Sequence, residues 1–361
     1  MYCLNLHPGE SLSEVIDVLR GDVAAVKRAI APEHPYEIGL RLGNRAAAEA
    51  LLPSRLAALR QVLGEGGFIV RHMNGFPYGK FHRTAVKTRV YTPDWSTRER
   101  LDYTLGLARI LASLLPENET TGTISTLPFG YRGATRLSDC LRLVDEAEKG
   151  LCELEAETGK NIVLAFEPEP DCVAGSVSEL LACLAPARHR TILVDTCHAA
   201  VVGERTSDCV RQILRAGFPF LRAQISAAIV ADSSQFETLA GFSNLVYLHQ
   251  THVYTKDGEK VAAFPDLSAE ALAYLRRNRN LTAKVHCHVP LNWRGSAVFG
   301  SSAEEITDDF LAECRRHGAA MEIETYTYEV LPGELRPPCI VQGIIAEEVW
   351  FKHRLQSTVA P

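Results

Sequence analysis

The chain has 361 residues, 46% of them hydrophobic and 23% charged, with a formal net charge of −6. That length buries a large core, and the balance is that of a soluble globular enzyme, which excludes a disordered or fibrous chain and runs against a nucleic-acid binder with its basic domain. No apolar run approaches the roughly 20 residues of a membrane span, the N-terminus lacks a secretion-signal pattern, and ten scattered cysteines without a C-x-x-C pair point to a reducing cytoplasm.

Tyr2 to Leu6 reads as a strand with His7-Pro8-Gly9-Glu10 as its exit loop. Apolar residues recur at helical spacing from Ser13 to Ile30, then Tyr36 to Leu42 is the next strand. Gly43-Asn44 leads into an alanine- and leucine-rich helix ending near Leu63-Gly64, and Phe68 to Arg71 is the third strand. A long loop follows that strand. Arg98 to Leu115 is an amphipathic helix, Thr121 to Leu127 a strand, Leu137 to Thr158 a helix, and Asn161 to Phe166 a strand ending in Glu167-Pro168-Glu169-Pro170. Ser176-Val177-Ser178-Glu179 is a capping-box pattern opening a helix to Leu184. The apolar run Thr191 to Val194 ends in Asp195, a helix spans Ser207 to Ala216, and Leu221 to Ser226 is a strand.

Beyond Ser226 the pattern loosens. Tyr247 to His252 is strand-like, Lys256-Asp257-Gly258-Glu259-Lys260 is a hairpin turn, Leu267 to Arg277 is helical, and Thr282 to His286 is a strand running into Cys287-His288-Val289-Pro290. Ser302 to His317 is a helix, Ala320 to Tyr326 a strand, and Ile344 to Leu355 a closing helix. Strands alternating with helices imply parallel βα units, either a doubly wound sheet or a (β/α)8 barrel. Neither G-x-G-x-x-G nor G-x-x-x-x-G-K-[ST] occurs, which removes the usual dinucleotide and P-loop readings. Polar residues cluster after nearly every strand, as at the mouth of a barrel. The expected architecture is an α/β (β/α)8 TIM barrel with extra C-terminal elements, one domain over residues 1–361. One of Leu221–Ser226, Thr282–His286 and Ala320–Tyr326 is surplus to its eight positions.

Asp195-x-x-His198 sets a carboxylate and an imidazole at a strand end, a pair that binds borderline divalent metals. The competing reading is a helix N-cap followed by a surface histidine. Glu167, Gln224, His286 with His288, and Glu324 also stand at strand ends. Carboxylates and imidazoles there converge although distant in sequence, and the mix suits zinc, manganese, iron or magnesium. Glu322 and Glu324 share a strand face, with Glu324 nearer the end and Glu322 the alternate. The long loop adds His72, Asn74, His82, Lys87 and Arg89, interleaved with Tyr78, Phe81 and Tyr91, as a lid over an anionic or polyhydroxylated ligand. Asn74, His82, Lys87 and His252 are the substrate-binding candidates. Which of His249, His252, His286 and His288 faces the site stays open.

The series Glu167, Asp195-x-x-His198, Gln224, His286-x-His288 and Glu324 resembles the xylose isomerase-like TIM-barrel superfamily of sugar isomerases, epimerases and endonuclease IV nucleases. More closely, the segments starting at Tyr2, Asn74, Val90, Glu167, His286 and Glu324 are similar to the EboE-type metabolite traffic branch, over essentially the full chain. The resemblance implies a TIM barrel with a divalent-metal site. Its bridging glutamate corresponds to Glu167, its Asp and His to Asp195 and His198, and its last glutamate to Glu324. Gln224 stands where histidine is frequent, which favours one metal, as in the isomerases, over a trinuclear nuclease site.

Three activities fit. The first is a metal-dependent isomerase or epimerase acting on a sugar, cyclitol or related polyol, with Glu167 or Glu324 as general base assisted by His198 or His288, and metal ligands drawn from Glu167, Asp195, His198, Gln224, His286 and Glu324. The second is a metal-dependent phosphoester hydrolase, with Lys80, Lys87 and Arg89 on phosphate. The third is a non-catalytic carrier. A small molecule is the expected partner, nucleic acid and membrane are not, and the oligomeric state is open.

Overall fold

The computed structural model describes the chain except residues 81, 83, 233–234, 244–245, 296–298, 330, 332, 334–335 and 359–361. Phe81 of the expected lid therefore lies outside the described residues. Eight parallel strand positions close into a barrel. Strands β1 (Tyr36–Arg41), β2 (Phe68–Asn74), β3 (Thr121–Thr126), β4 (Asn161–Phe166) and β5 (Arg190–Ile192) form one continuous run. β6 (Val194–Asp195) continues β5 after Leu193 and pairs with β7 (Arg222–Ile225). The last barrel strand, Ala320–Ile323, pairs with β7. Tyr2 and Cys3 close the ring: Cys3 N–H donates to the Ile323 carbonyl at 2.9 Å and Gly39 N–H to the Tyr2 carbonyl at 3.0 Å.

These strands are buried on both faces, so they read as near-continuous apolar runs such as Ile162-Val163-Leu164-Ala165-Phe166. The surrounding helices begin and end where local chemistry dictates. Ser11 and Glu14 form a reciprocal capping box at Leu12. The expected helix 13–30 is one helical run with a π-helical turn at Leu19–Val23. The single helix expected after Gly43-Asn44 is two, Asn44–Ala50 and Pro53–Gly66. Proline cannot donate to the preceding turn, and it opens the second helix at its first position. Helix Leu137–Thr158 stops at Gly159, whose φ of 69° is left-handed backbone that glycine adopts at little cost.

The surplus strand candidate is Thr282–His286. Between β7 and the last barrel strand the chain builds a separate antiparallel sheet from β8 (Ile229–Asp232), β9 (Thr251–Thr255), β10 (Lys260–Phe264), β11 (Leu281–Val285) and β12 (Gly300–Ser301), in the order β10-β9-β11-β8-β12. Three residues after β7 the chain enters β8, which leads away from the barrel mouth; β11 runs antiparallel to it and returns. The extra elements thus lie chiefly before the last barrel strand, β13 (Ala320–Ile323). Beyond that strand stands the helix Ile340–Ser357. Among the described residues no helix is long and apolar enough to cross a membrane.

Candidate metal centre

Glu167 follows β4, Asp195 ends β6, and Glu324 follows β13, so three carboxylates emerge at one end of the barrel. One oxygen of each lies within 4.8 Å of the others. All three side chains are buried. Asp195 caps the helix Thr196–Val202: its Oδ1 accepts from His198 N–H and from Ser226 Oγ, both at 2.8 Å. Asp195 is the helix N-cap of the competing reading of Asp-x-x-His, but His198 is buried and not at the surface. Oδ2 of Asp195, Oε2 of Glu167 and both amide atoms of Gln224 find no hydrogen-bond partner among the described residues. Gln224 stands in register with Asp195 on one side and Glu322 on the other. Buried polar atoms without partners are costly, and a shared cation would satisfy the Asp195, Glu167 and Gln224 oxygens together, whereas the Gln224 amide nitrogen, a donor, needs an acceptor. The donor set of carboxylate, amide and imidazole fits a divalent ion.

Glu324 is oriented by amides: Asn5 Nδ2 and Asn74 Nδ2 both donate to its Oε1, the latter at 3.3 Å. Burial is the main cause that raises the Glu167 and Glu324 carboxyls above the usual range, and facing carboxylates add to it; for Glu324 these are Asp195 and Glu322. Glu322 sits deeper, paired with Arg222, which also donates to the Met73 carbonyl at 2.8 Å. Neither Arg222 nor Glu322 has measurable exposure.

The insertion supplies imidazoles. His286 and His288 come at the foot of β11 where it returns to the mouth, so they reach the site from an antiparallel strand and not from a barrel strand. His288 Nδ1 bonds the Glu324 carbonyl, and its Nε2 is unpartnered among the described residues, with Asp195 and His198 donor atoms within 4.8 Å. Burial lowers His288 to about 4, and burial together with His198 lowers His286. Three residues that sequence reasoning did not single out join them. Glu169 Oε2 lies 3.2 Å from His198 Nε2. Gln250, at the foot of β9, holds His286 Nδ1 at 2.8 Å. Asn5 anchors Glu324. The Glu-Pro-Glu-Pro spacing was the available signal for Glu169; single amides beside strands carry none.

A pocket opens over Glu167, Glu169, His198, His286 and Glu324, and Asn5, Asn74, Tyr91, Tyr326 and Lys87 line it with them. Lys87 is committed to Asp266 at 2.6 Å. His82 is buried and bonds the Asn5 carbonyl at 2.6 Å, one step behind Glu324. His72 lies inside the barrel against Thr123 Oγ1 at 2.7 Å, and Arg89 folds back on the Ala85 carbonyl. His252 stands on β9 with Nε2 4.0 Å from Asp171, away from the pocket lining. His249 is buried, and burial lowers it to about 4.

Solved structures of similar shape decide the fold. The IOLI protein with a binding zinc atom aligns over 100% of this chain and 99% of its own at 10% identity, with a TM-score of 0.53. L-ribulose 3-epimerase aligns over 99% and 94% at 12% identity (TM-score 0.52). D-allulose 3-epimerase from Methylomonas sp., in complex with D-allulose, aligns over 98% and 95% at 13% identity (TM-score 0.50). The fold shared with these structures is a (β/α)8 barrel. No family model and no curated protein matches the chain.

Proposed function

We propose that this chain is a metal-dependent isomerase or epimerase acting on a sugar, cyclitol or related polyol, of the EboE-type metabolite traffic branch, and that residues 1–361 act as one domain in the cytoplasm. The observation that carries the reading is the convergence of Glu167, Asp195 and Glu324 at one end of the barrel, with oxygens on Glu167 and Asp195 and the amide of Gln224 beside them that have no hydrogen-bond partner among the described residues. Glu167, Asp195, Gln224 and Glu324 would hold the ion, with His198 and His286 in reach. When bound, a divalent cation polarises a carbonyl or hydroxyl of the substrate and acidifies the neighbouring C–H. Glu167 and Glu324, whose carboxylate oxygens converge at the mouth, are placed to take and return a proton at a carbon between them. Asn5 and Asn74 hold Glu324 in place, and His288, its Nδ1 occupied by the Glu324 carbonyl, packs beside Asp195 and His198 with Nε2 unpartnered among the described residues. Phe76, Tyr91 and Tyr326 line the pocket with ring surface against which an apolar face of the substrate would pack.

The fold likeness to two 3-epimerases supports the reading as analogy. The commitment of Lys87 to Asp266 weighs against the phosphate-binding cluster of the hydrolase alternative. The test is elemental analysis of protein purified without a histidine tag, wild type beside Asp195→Ala/Glu324→Ala, followed by incubation with sugars and cyclitols in deuterated water. Near-stoichiometric metal lost in the double variant, with deuterium entering a substrate of unchanged formula, supports the isomerase. Metal without exchange but with phosphate release from phosphoesters replaces it with the hydrolase. No metal in the wild type overturns both in favour of a carrier.

A further inference from the structure

A second constellation lies far from the mouth, at the opposite end of the barrel, where β4 and β5 begin. Helix Leu137–Thr158 carries Glu148, Cys152 and Glu155 at i, i+4 and i+7, so the three side chains share one face. His189 stands immediately before β5 and is fully buried. Its Nδ1 lies 2.9 Å from the Ile162 carbonyl of β4, and its backbone N–H donates to Glu148 Oε1 at 3.1 Å. Those two contacts fix the ring, and its Nε2 finds no hydrogen-bond partner among the described residues. A carboxylate oxygen of Glu148, Cys152 Sγ and a ring nitrogen of His189 lie within 4.8 Å of one another. Glu155 Oε2 adds a carboxylate oxygen 3.4 Å from His189 Nε2. Glu148 Oε2 is a further buried atom without a hydrogen-bond partner among the described residues, and Arg190 Nε faces it as an ion pair at 3.2 Å.

We infer that Glu148, Cys152 and His189 form a zinc-type metal site at the foot of the barrel. A thiolate, an imidazole and a carboxylate are a donor set for Zn²⁺, whereas Mg²⁺ and Ca²⁺ take oxygen ligands. A buried ring nitrogen without a partner is costly, and a cation is the one species that this nitrogen, the thiolate and the carboxylate all accept. Zinc bond lengths to sulfur, nitrogen and oxygen set tetrahedral donors about 3.3–3.7 Å apart. Cys152 is exposed, so it turns about its Cα–Cβ bond to close the remaining distance. Glu155 is placed as the fourth donor. The Ile162 carbonyl behind His189 is the kind of contact that orients a metal-bound imidazole. Charge agrees with the assignment. Arg188 pairs with Glu155, and Arg190 with Asp145 and Glu148. With Cys152 ionised, these three carboxylates and the thiolate exceed the two guanidiniums by the charge of one divalent cation. Such an ion pins the last turns of the helix to the start of β4 and β5, at the end of the barrel remote from the βα-loops that build active sites. The inference does not depend on the isomerase reading, because this ligand set shares no residue with the mouth.

The full chain, stripped with a chelator and kept reduced, is titrated with Co²⁺ and then with Zn²⁺. A cobalt–thiolate charge-transfer band in the near ultraviolet is expected to appear, to saturate, and to vanish as Zn²⁺ displaces Co²⁺. Cys152→Ser loses the band. Asp195→Ala/Glu324→Ala, which acts at the mouth, keeps it. A second measurement needs no variant. Cys152 and Cys339 are the exposed cysteines among the described residues. Zn²⁺ is expected to slow alkylation of Cys152 several-fold, read by peptide mass spectrometry, and to leave Cys339 unchanged, because a metal-bound thiolate is a poorer nucleophile than a free one. The inference is overturned by a band that is absent from the wild type, that survives Cys152→Ser or that the mouth variant removes. Alkylation of Cys152 at one rate with and without Zn²⁺ overturns it as well.

Discussion

Arg222 and Glu322 form an ion pair wholly inside the barrel, one layer beneath the carboxylates of the mouth. Removing one member of such a pair leaves a buried charge without a partner. Arg222→Met is therefore expected to lower unfolding free energy by about 3–5 kcal/mol. The double variant Arg222→Met/Glu322→Met should regain most of it, since an apolar pair carries no desolvation cost. Urea denaturation of the two metal-free variants beside wild type measures both effects.

Gly39 exists to make room for that pair. A Cβ built on it would fall 1.4 Å from Glu322 Oε1. Gly39→Ala should cost about 3 kcal/mol or more, as overpacking that also displaces one partner of a buried pair. Gly64, inside the helix Pro53–Gly66, has nothing within 4 Å of its missing Cβ. Gly64→Ala should accordingly stabilise by about 0.5–1 kcal/mol. Thermal melts of the two variants should move in opposite directions.

Glu347 ties the closing helix to the mouth: its carboxylate accepts from Leu291 N–H at 2.7 Å, Thr325 Oγ1 at 2.8 Å and Tyr328 Oη. Burial raises it from 4.5 to about 7, against these hydrogen bonds. The folded chain therefore holds this proton more tightly than the unfolded chain does. The resulting stability is fully present below the unfolded pKa and is lost as pH rises from about 4.5 through 7, up to about 3 kcal/mol in all. In Glu347→Gln, stability measured by denaturant at pH 5 and pH 8 should differ by correspondingly less.

Glu324→Gln should separate fold from metal binding. In the stripped protein it removes a buried carboxylate that faces Asp195 and Glu322, so stability at pH 8 rises. The gain in melting temperature on adding Mn²⁺ or Zn²⁺ should shrink. In wild type that gain corresponds to about 2.7 kcal/mol for one site at a hundredfold excess over Kd. A scanning-calorimetry series with and without metal reads both signs.

The barrel was legible because parallel strands buried on both faces leave apolar runs that end in polar residues. Ala227-Ala228-Ile229-Val230-Ala231 is such a run too, but it follows Ser226 without a turn, and the insertion it opens was not recognised as a sheet. Strand alternation puts Glu322 and Glu324 on one face; their separation into a barrel-interior ion pair and a mouth carboxylate depends on Arg222, a hundred positions away in sequence and a neighbour only through strand pairing. Glu169 escaped notice because Pro168 breaks the strand and with it the alternation that assigns faces. His286 and His288 reach the mouth because β11 runs back toward the barrel, and direction within a sheet is invisible to periodicity.

The placement of the antiparallel sheet between β7 and β13 also governs when the site comes into being. Glu167, Asp195 and His198 emerge from the ribosome well before His286 and His288, and Glu324 follows the entire insertion. A growing chain thus holds only fragments of the mouth's ligand set. The ligand set proposed at this mouth is complete only once the insertion and β13 are in place, so an ion would meet a finished cavity instead of guiding the chain into it.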